Sequence, residues 1–112
     1  MSSGRYDIVI DQGSDFALQL VLKNDSGPVD LSLYNVRGEI RPSYSSATIT
    51  ATFTCTVTNA AGGTIKIELA NATTTGLSPG VYVYDLEMYR SGDTSVSRIL
   101  QGKATVTAQV TQ

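Results

Sequence analysis

A period of two dominates the chain. From Thr48 to Thr58 every even position is threonine, while the odd positions run Ile49, Ala51, Phe53, Cys55 and Val57. Such alternation gives a strand one wet face and one buried face, whereas a helix would scatter the threonines around its axis. Cys55 falls at an inward position and reads as a small buried hydrophobe rather than a reactive thiol. The same rule sets Tyr6, Ile8 and Ile10 against Asp7, Val9 and Asp11, then Phe16, Leu18, Leu20 and Leu22 against Ala17, Gln19, Val21 and Lys23. Between these two strands lies Asp11-Gln12-Gly13-Ser14-Asp15, a turn in which Gly13 is free to take positive φ.

The pattern continues downstream. Asn24 to Pro28 are all turn formers, and residues 29–34 read as an irregular edge segment. Val36, Gly38 and Ile40 alternate with Arg37, Glu39 and Arg41 until Pro42, which ends ladder pairing. The polar loop 43–46 leads to the threonine strand, and the Asn59 to Gly63 loop leads out of it to Ile65, Ile67 and Leu69, which point inward. Residues 71–77 lack the period of two and read as one helical turn. After the Ser78-Pro79-Gly80 turn, residues 81–90 place Tyr82, Tyr84, Leu86 and Met88 on one side. A turn over 91–94 precedes a last long strand over 95–111, where Gly102 marks an expected bulge or sheet-switching kink. Seven or eight short one-faced strands with almost no helix predict an all-β fold. The expected form is an antiparallel two-sheet β-sandwich with immunoglobulin-like or Greek-key connections, and a closed barrel is the alternative. Residues 1–4 read as a flexible N-terminal arm and 5–112 as a single domain, since 112 residues suffice for one core.

Composition removes several chemistries. With no histidine there is no Ser-His-Asp triad, no His-ligated metal and no imidazole switch. A single cysteine excludes an intramolecular disulfide and any CxxC site. A net charge of −2 argues against a phosphate backbone as partner. No apolar run approaches the ~20 residues of a membrane span, and the first residues lack a signal-peptide core. The expectation is a soluble product made in a cytoplasm, binding neither nucleic acid nor membrane, with no cofactor and no metal.

The remaining candidates are weak as catalysts. Asp7, Asp11 and Asp15 cluster near the first turn, with Asp25 and Asp30 around the second, but no D-x-D-x-D-G run is present; Asp11 and Asp15 fit turn capping better than a calcium site shared between loops. Asp85 shares outward parity with Val83 and has Arg98 as its natural partner if the two strands form a hairpin, a structural pair. Tyrosines on sandwich strands are mostly core or rim residues, and Tyr44, in a loop, is the best exposed exception. No enzymatic function is expected.

An ordered series of motifs spans nearly the whole chain. It runs Asp11-Gln12-Gly13 with Leu18-Gln19-Leu20, then Val29-Asp30-Leu31 through Tyr34 to Gly38-Glu39-Ile40-Arg41. Gly63-Thr64-Ile65, Leu69 with Thr75 and Leu77, and Gly80 to Leu86 follow, ending in Gln101-Gly102 with Val106 and Val110-Thr111. The series resembles small β-sandwich domains of tailed-bacteriophage virion proteins, similar to the N-terminal domains of baseplate upper proteins. The resemblance implies a non-enzymatic virion component of tail, baseplate or neck, present in many symmetric copies and contacting other virion proteins of the same phage. Capsid decoration is one alternative, and a carbohydrate-binding adhesive module using Tyr34, Tyr44 and Arg41 is another. The expected subunit-contact surface comprises Thr48, Thr50, Thr52, Thr54 and Thr56 with Tyr44 and Arg41; the threonine face reads equally as an ordinary solvated sheet surface.

Overall fold

The computed structural model of the chain describes residues 4–24, 27–93 and 95–110. Residues 1–3 of the expected arm, Asp25 and Ser26 of the second turn, Thr94 and Thr111 lie outside the described residues. In chain order the strands are β1 (Gly4–Arg5), β2 (Ile8–Asp11), β3 (Phe16–Val21), β4 (Lys23–Asn24), β5 (Gly27–Pro28), β6 (Asn35–Arg41), β7 (Ala51–Thr52), β8 (Thr54–Asn59) and β9 (Thr64–Leu69). A short helix α1 (Asn71–Thr75) precedes β10 (Gly80–Tyr89) and β11 (Val96–Thr107). The fold is all-β, as the period of two requires. The expected helical turn forms within 71–77, and residues 29–34 are irregular, closed by a Tyr34 N–H to Leu31 C=O turn of 2.9 Å.

A larger sheet runs β1-β11-β10-β6-β7, with β2 also paired to β11, and a smaller one runs β3-β9-β8; β4 and β5 form a separate two-stranded ribbon. The expected all-antiparallel pairing holds except at one edge, where β1 and β2 run parallel to β11. That edge also corrects the arm boundary, because Gly4 already lies in β1 opposite Leu100. Inward residues of both sheets, among them Ile10, Ile40, Leu86 and Ala104 from the larger and Ile65 and Ile67 from the smaller, are fully buried in one hydrophobic cluster.

The threonine strand is two strands. Ala51 and Thr52 pair with Ile40 and Glu39 in the larger sheet. Phe53 donates its N–H to Gly38 C=O at 3.0 Å, and from Thr54 onward the chain pairs with β9 in the smaller sheet. Thr48 and Thr50 precede both strands, in the loop after β6. Buried Phe53 lies between Phe16, at 6.1 Å between ring centroids, and Tyr84, edge-on at 6.0 Å. Gly38 makes room for it: a Cβ there would meet Leu86 and stand 3.2 Å from the Phe53 ring. Cys55 points inward, half-buried, and burial pushes its thiol up to about 11 from 9.0. Thiolate is the reactive form, so Cys55 in the native protein should react with a thiol reagent at neutral pH about 100-fold more slowly than in the urea-unfolded chain. Equal rates in the two states would show the site to be open.

The N-terminal strand is held by β11 and by a buried tyrosine. Tyr84 is almost fully buried and donates its hydroxyl to the Tyr6 carbonyl; burial, then the Asp7 carboxylate, raises its pKa, so it stays a donor. Between β1 and β2 the ladder is completed by a side chain, since Lys103 N–H donates to Asp7 Oδ1 at 2.9 Å. Gly102 lies beneath this segment, and any Cβ there would run into the Tyr6 carbonyl. The expected bulge is not at Gly102, through which β11 runs unbroken. It is at Ile99, where the register steps from Leu86 opposite Leu100 to Glu87 opposite Arg98 and two successive residues, Ile99 and Leu100, are both buried. Tyr84→Phe should cost about 1 kcal/mol by leaving Tyr6 C=O without its donor, and Gly102→Ala about 2 kcal/mol by overpacking. Urea unfolding measures both; midpoints equal to wild type would refute this tether.

Candidate functional site

The first turn is structural throughout. Asp11 accepts the Thr107 hydroxyl at 2.8 Å. Gln12 donates to Leu77 C=O at 2.9 Å and accepts Gln109 N–H at 3.0 Å. Asp15 supplies the cap that α1 lacks, its Oδ1 accepting Asn71 N–H at 2.8 Å and Asn71 Nδ2 at 3.0 Å. The fully buried Thr74 hydroxyl accepts Gly13 N–H and donates to Ser14 C=O. Oδ1 of Asp11 thus serves a cross-strand contact and Oδ1 of Asp15 a helix cap.

Charge is concentrated elsewhere, on the outer face of the larger sheet. Outward positions of β6, β10, β11 and β1 align in three rows across the strands. Arg37, Glu87 and Arg98 form one row. Glu39, Asp85, Gln101 and Arg5 form the next, and Arg41, Val83 and Lys103 the third. Glu39 and Asp85 stand directly opposite each other, an arrangement that repels unless cations compensate it. Arginines do so from either side. Arg37 Nε reaches Glu87 at 3.0 Å and its guanidinium stacks on Tyr89 at 4.4 Å; Arg41 reaches Glu39 at 2.8 Å, and Arg98 reaches Asp85 at 3.3 Å. The expected Asp85–Arg98 pair therefore forms, across the β10–β11 hairpin.

Burial is the main reason Asp85 has a raised pKa, with Glu87 and Glu39 adding to it and Arg98 and Arg41 opposing. These groups frame an open depression of about 500 Å³, bounded by Arg5, Arg41, Arg98, Asp85 and Tyr44. Tyr44, 57% exposed as a residue, lines it from the loop after β6, its hydroxyl 3.5 Å from Gly102 C=O. Arg41 is fixed by donating to Ser46 C=O of the same loop at 2.8 Å. Guanidinium and carboxylate groups held this way can exchange partners with charged or aromatic groups of another protein surface.

The expected contact residues are only partly brought together. Arg41 and Tyr44 meet at the depression, whereas Thr52, paired with Glu39, lines a separate, smaller one with Arg37 and Glu87. Thr54 and Thr56 face outward on the other sheet, opposite Glu68 and Lys66. Tyr34 packs against Arg90 at 5.2 Å and precedes β6, whereas Arg41 ends it about 20 Å away, so of the residues named for an adhesive module Tyr34 stands apart from Tyr44 and Arg41. Arg5, Glu39, Glu87 and Gln101 were missing from the sequence-based set. For Glu39 and Glu87 the signal was the charged period of two, Arg37-x-Glu39-x-Arg41 and Asp85-x-Glu87, in a chain with only 16% charged residues; Arg5 and Gln101 join them only through the β1–β11 and β10–β11 register.

No protein-family model matches the chain, and no curated protein sequence matches it. Among solved structures it is similar to Listeria monocytogenes InlP, with a TM-score of 0.50 and 21% identity over 94% of this chain and 28% of that one. The likeness concerns the fold alone, and the chain spans little more than a quarter of the InlP chain.

A carboxylate with a raised folded pKa weakens the fold while ionised. The penalty is present above the folded pKa and is relieved as pH falls through it toward the ordinary 3.8. Asp85→Asn should therefore be at least as stable as wild type at neutral pH, and wild type should gain on it as pH falls toward 3.8. Urea unfolding of both proteins across that range checks the sign; a gap that moves the other way would mean Arg98 outweighs burial.

Proposed function

We propose that this chain is a non-enzymatic structural component of a bacteriophage virion, built into the tail, baseplate or neck by protein–protein contacts. In this reading its two sheets face each other as a β-sandwich with immunoglobulin-like connections, the single core cluster drawn from both sheets being the support. The observation that carries the assembly role is the depression bounded by Arg5, Arg41, Arg98 and Tyr44. Arginine and tyrosine dominate the energetics of protein interfaces, and a shallow concavity lined by them with paired carboxylates suits a protein surface. The order of glycine and core motifs that resembles phage sandwich domains supplies the virion setting. Partners are other virion proteins, and the arginine–carboxylate pairs set orientation as well as affinity.

Mass spectrometry of purified particles, with gold labelling of a tagged copy, tests the reading. The protein should be present in the particle, and Arg5→Ala with Tyr44→Ala should reduce its incorporation at least tenfold while leaving its unfolding midpoint near wild type. Absence from purified particles ends the proposal.

A further inference from the structure

We propose that the free edge of β3 pairs with the same strand of a second copy of this chain, antiparallel about a two-fold axis at Gln19. Two three-stranded sheets would then become one of six strands. The choice of a protein partner rests on the assembly reading above; the site and register come from β3 itself.

β3 is the outer strand of the smaller sheet and, among the described residues, is paired only with β9. Leu22 donates its N–H to Gly63 C=O at 2.8 Å on the β9 side, and the β4–β5 ribbon folds back on that same side, Val29 N–H reaching Leu22 C=O at 2.8 Å. Backbone groups alternate in an antiparallel ladder, so the N–H and C=O of Ala17, Gln19 and Val21 face the open side. Natural edges are guarded by charge, proline or bulges. Residues 16–22 contain no charge and no proline, and β3 meets β9 without a register shift. Its inward side chains Phe16, Leu18, Leu20 and Leu22 are only partly buried, whereas Ile65 and Ile67 on adjacent β9 are fully buried. A strand laid along the edge would cover that apolar seam.

Charge selects a second copy as the occupant and fixes the register. The uncharged run is bracketed by Asp15 and Lys23, both exposed and both four residues from Gln19. In an antiparallel pair centred on Gln19, Ala17 faces the partner's Val21, Leu18 faces the partner's Leu20, and Asp15 faces the partner's Lys23 at both ends. Shifting the register in either direction loses both ion pairs. Asp15 receives Asn71 on Oδ1, and a carboxylate has capacity left for an ammonium group. The other edge of this sheet, β8, has threonines but no charged bracket to set a register. The seam is small for a protein interface, so the dimer forms reversibly with concentration.

Sedimentation equilibrium of the full chain tests this. Wild type should move from 11.9 kDa toward twice that mass as concentration rises. Gln19→Lys, which sets like charges against each other at the axis, should weaken the dimer at least tenfold with an unchanged circular dichroism spectrum; Thr56→Lys on β8 should leave it intact. Lys23→Asp and Asp15→Lys should each be monomeric alone, and mixing the two should restore a dimer, since only the mixed pair opposes unlike charges at both ends. A monomer at every concentration, or a dimer that resists Gln19→Lys and yields to Thr56→Lys, would overturn the pairing. Either result leaves virion membership to its own experiment, so the two proposals fail separately.

Discussion

Phe53 is the point at which the two sheets become one structure. Its N–H still belongs to the larger sheet through Gly38, while the next residue already pairs in the smaller one. Its ring lies against Phe16 of the smaller sheet and edge-on to Tyr84 of the larger. A buried phenylalanine contributes about 3–5 kcal/mol, a large part of the ~5–15 kcal/mol by which a domain is stable. Gly38 is the condition for this placement. A Cβ at Gly38 would run into Leu86 and the Asp85 carbonyl and crowd the Phe53 ring, so a side chain there would force β10 and the ring to shift together.

The terminal strands depend on that arrangement at one remove. Tyr84, which packs edge-on to Phe53, uses its hydroxyl to hold the Tyr6 carbonyl, and Gly102 lets that segment lie close to β11. Further along, Gln12 joins the first turn to Leu77 after α1 and to Gln109 after β11. Parallel pairing of β2 with β11 is thus fastened by side chains at both ends. Parallel strands lack a tight hairpin to fix their register, and Asp7, Asp11 and Gln12 supply that function here.

The strands themselves were legible because one-sided burial writes a period of two into the sequence. Ile8 and Ile10, or Ile65, Ile67 and Leu69, are buried as their parity requires. Partner choice was not legible. Ala51, Phe53, Cys55 and Val57 all point inward on both sides of the crossing, so the alternation passes from one sheet to the other without a break. The bulge was misplaced for a related reason. Glycine is a common bulge residue and Gly102 drew the assignment, but the better signal was the adjacent apolar pair Ile99-Leu100, because an extra residue reverses parity and buries two neighbours in succession. Charges on the larger sheet were visible as outward positions, and Asp85 with Arg98 followed from a hairpin. That Glu39 faces Asp85 depends on the β6–β10 register, which no local pattern contains.

In the proposed assembly the two outer faces divide the work of recognition. On the larger sheet the carboxylates sit in the middle with arginines on either side, so an approaching surface meets alternating signs within a few ångströms; such a face discriminates among partners, since a mismatch places like charges together or strands a guanidinium. The smaller sheet carries Ala17, Gln19, Val21 and the threonines, with one Lys66–Glu68 pair at 3.6 Å between them. It costs little to desolvate and discriminates little by side chain. In the proposed pairing its specificity comes from the backbone ladder at the β3 edge, where register is the variable and the charges of Asp15 and Lys23 at the two ends of the strand set it. A chain with few charged residues can therefore be selective on one face by composition and on the other by geometry.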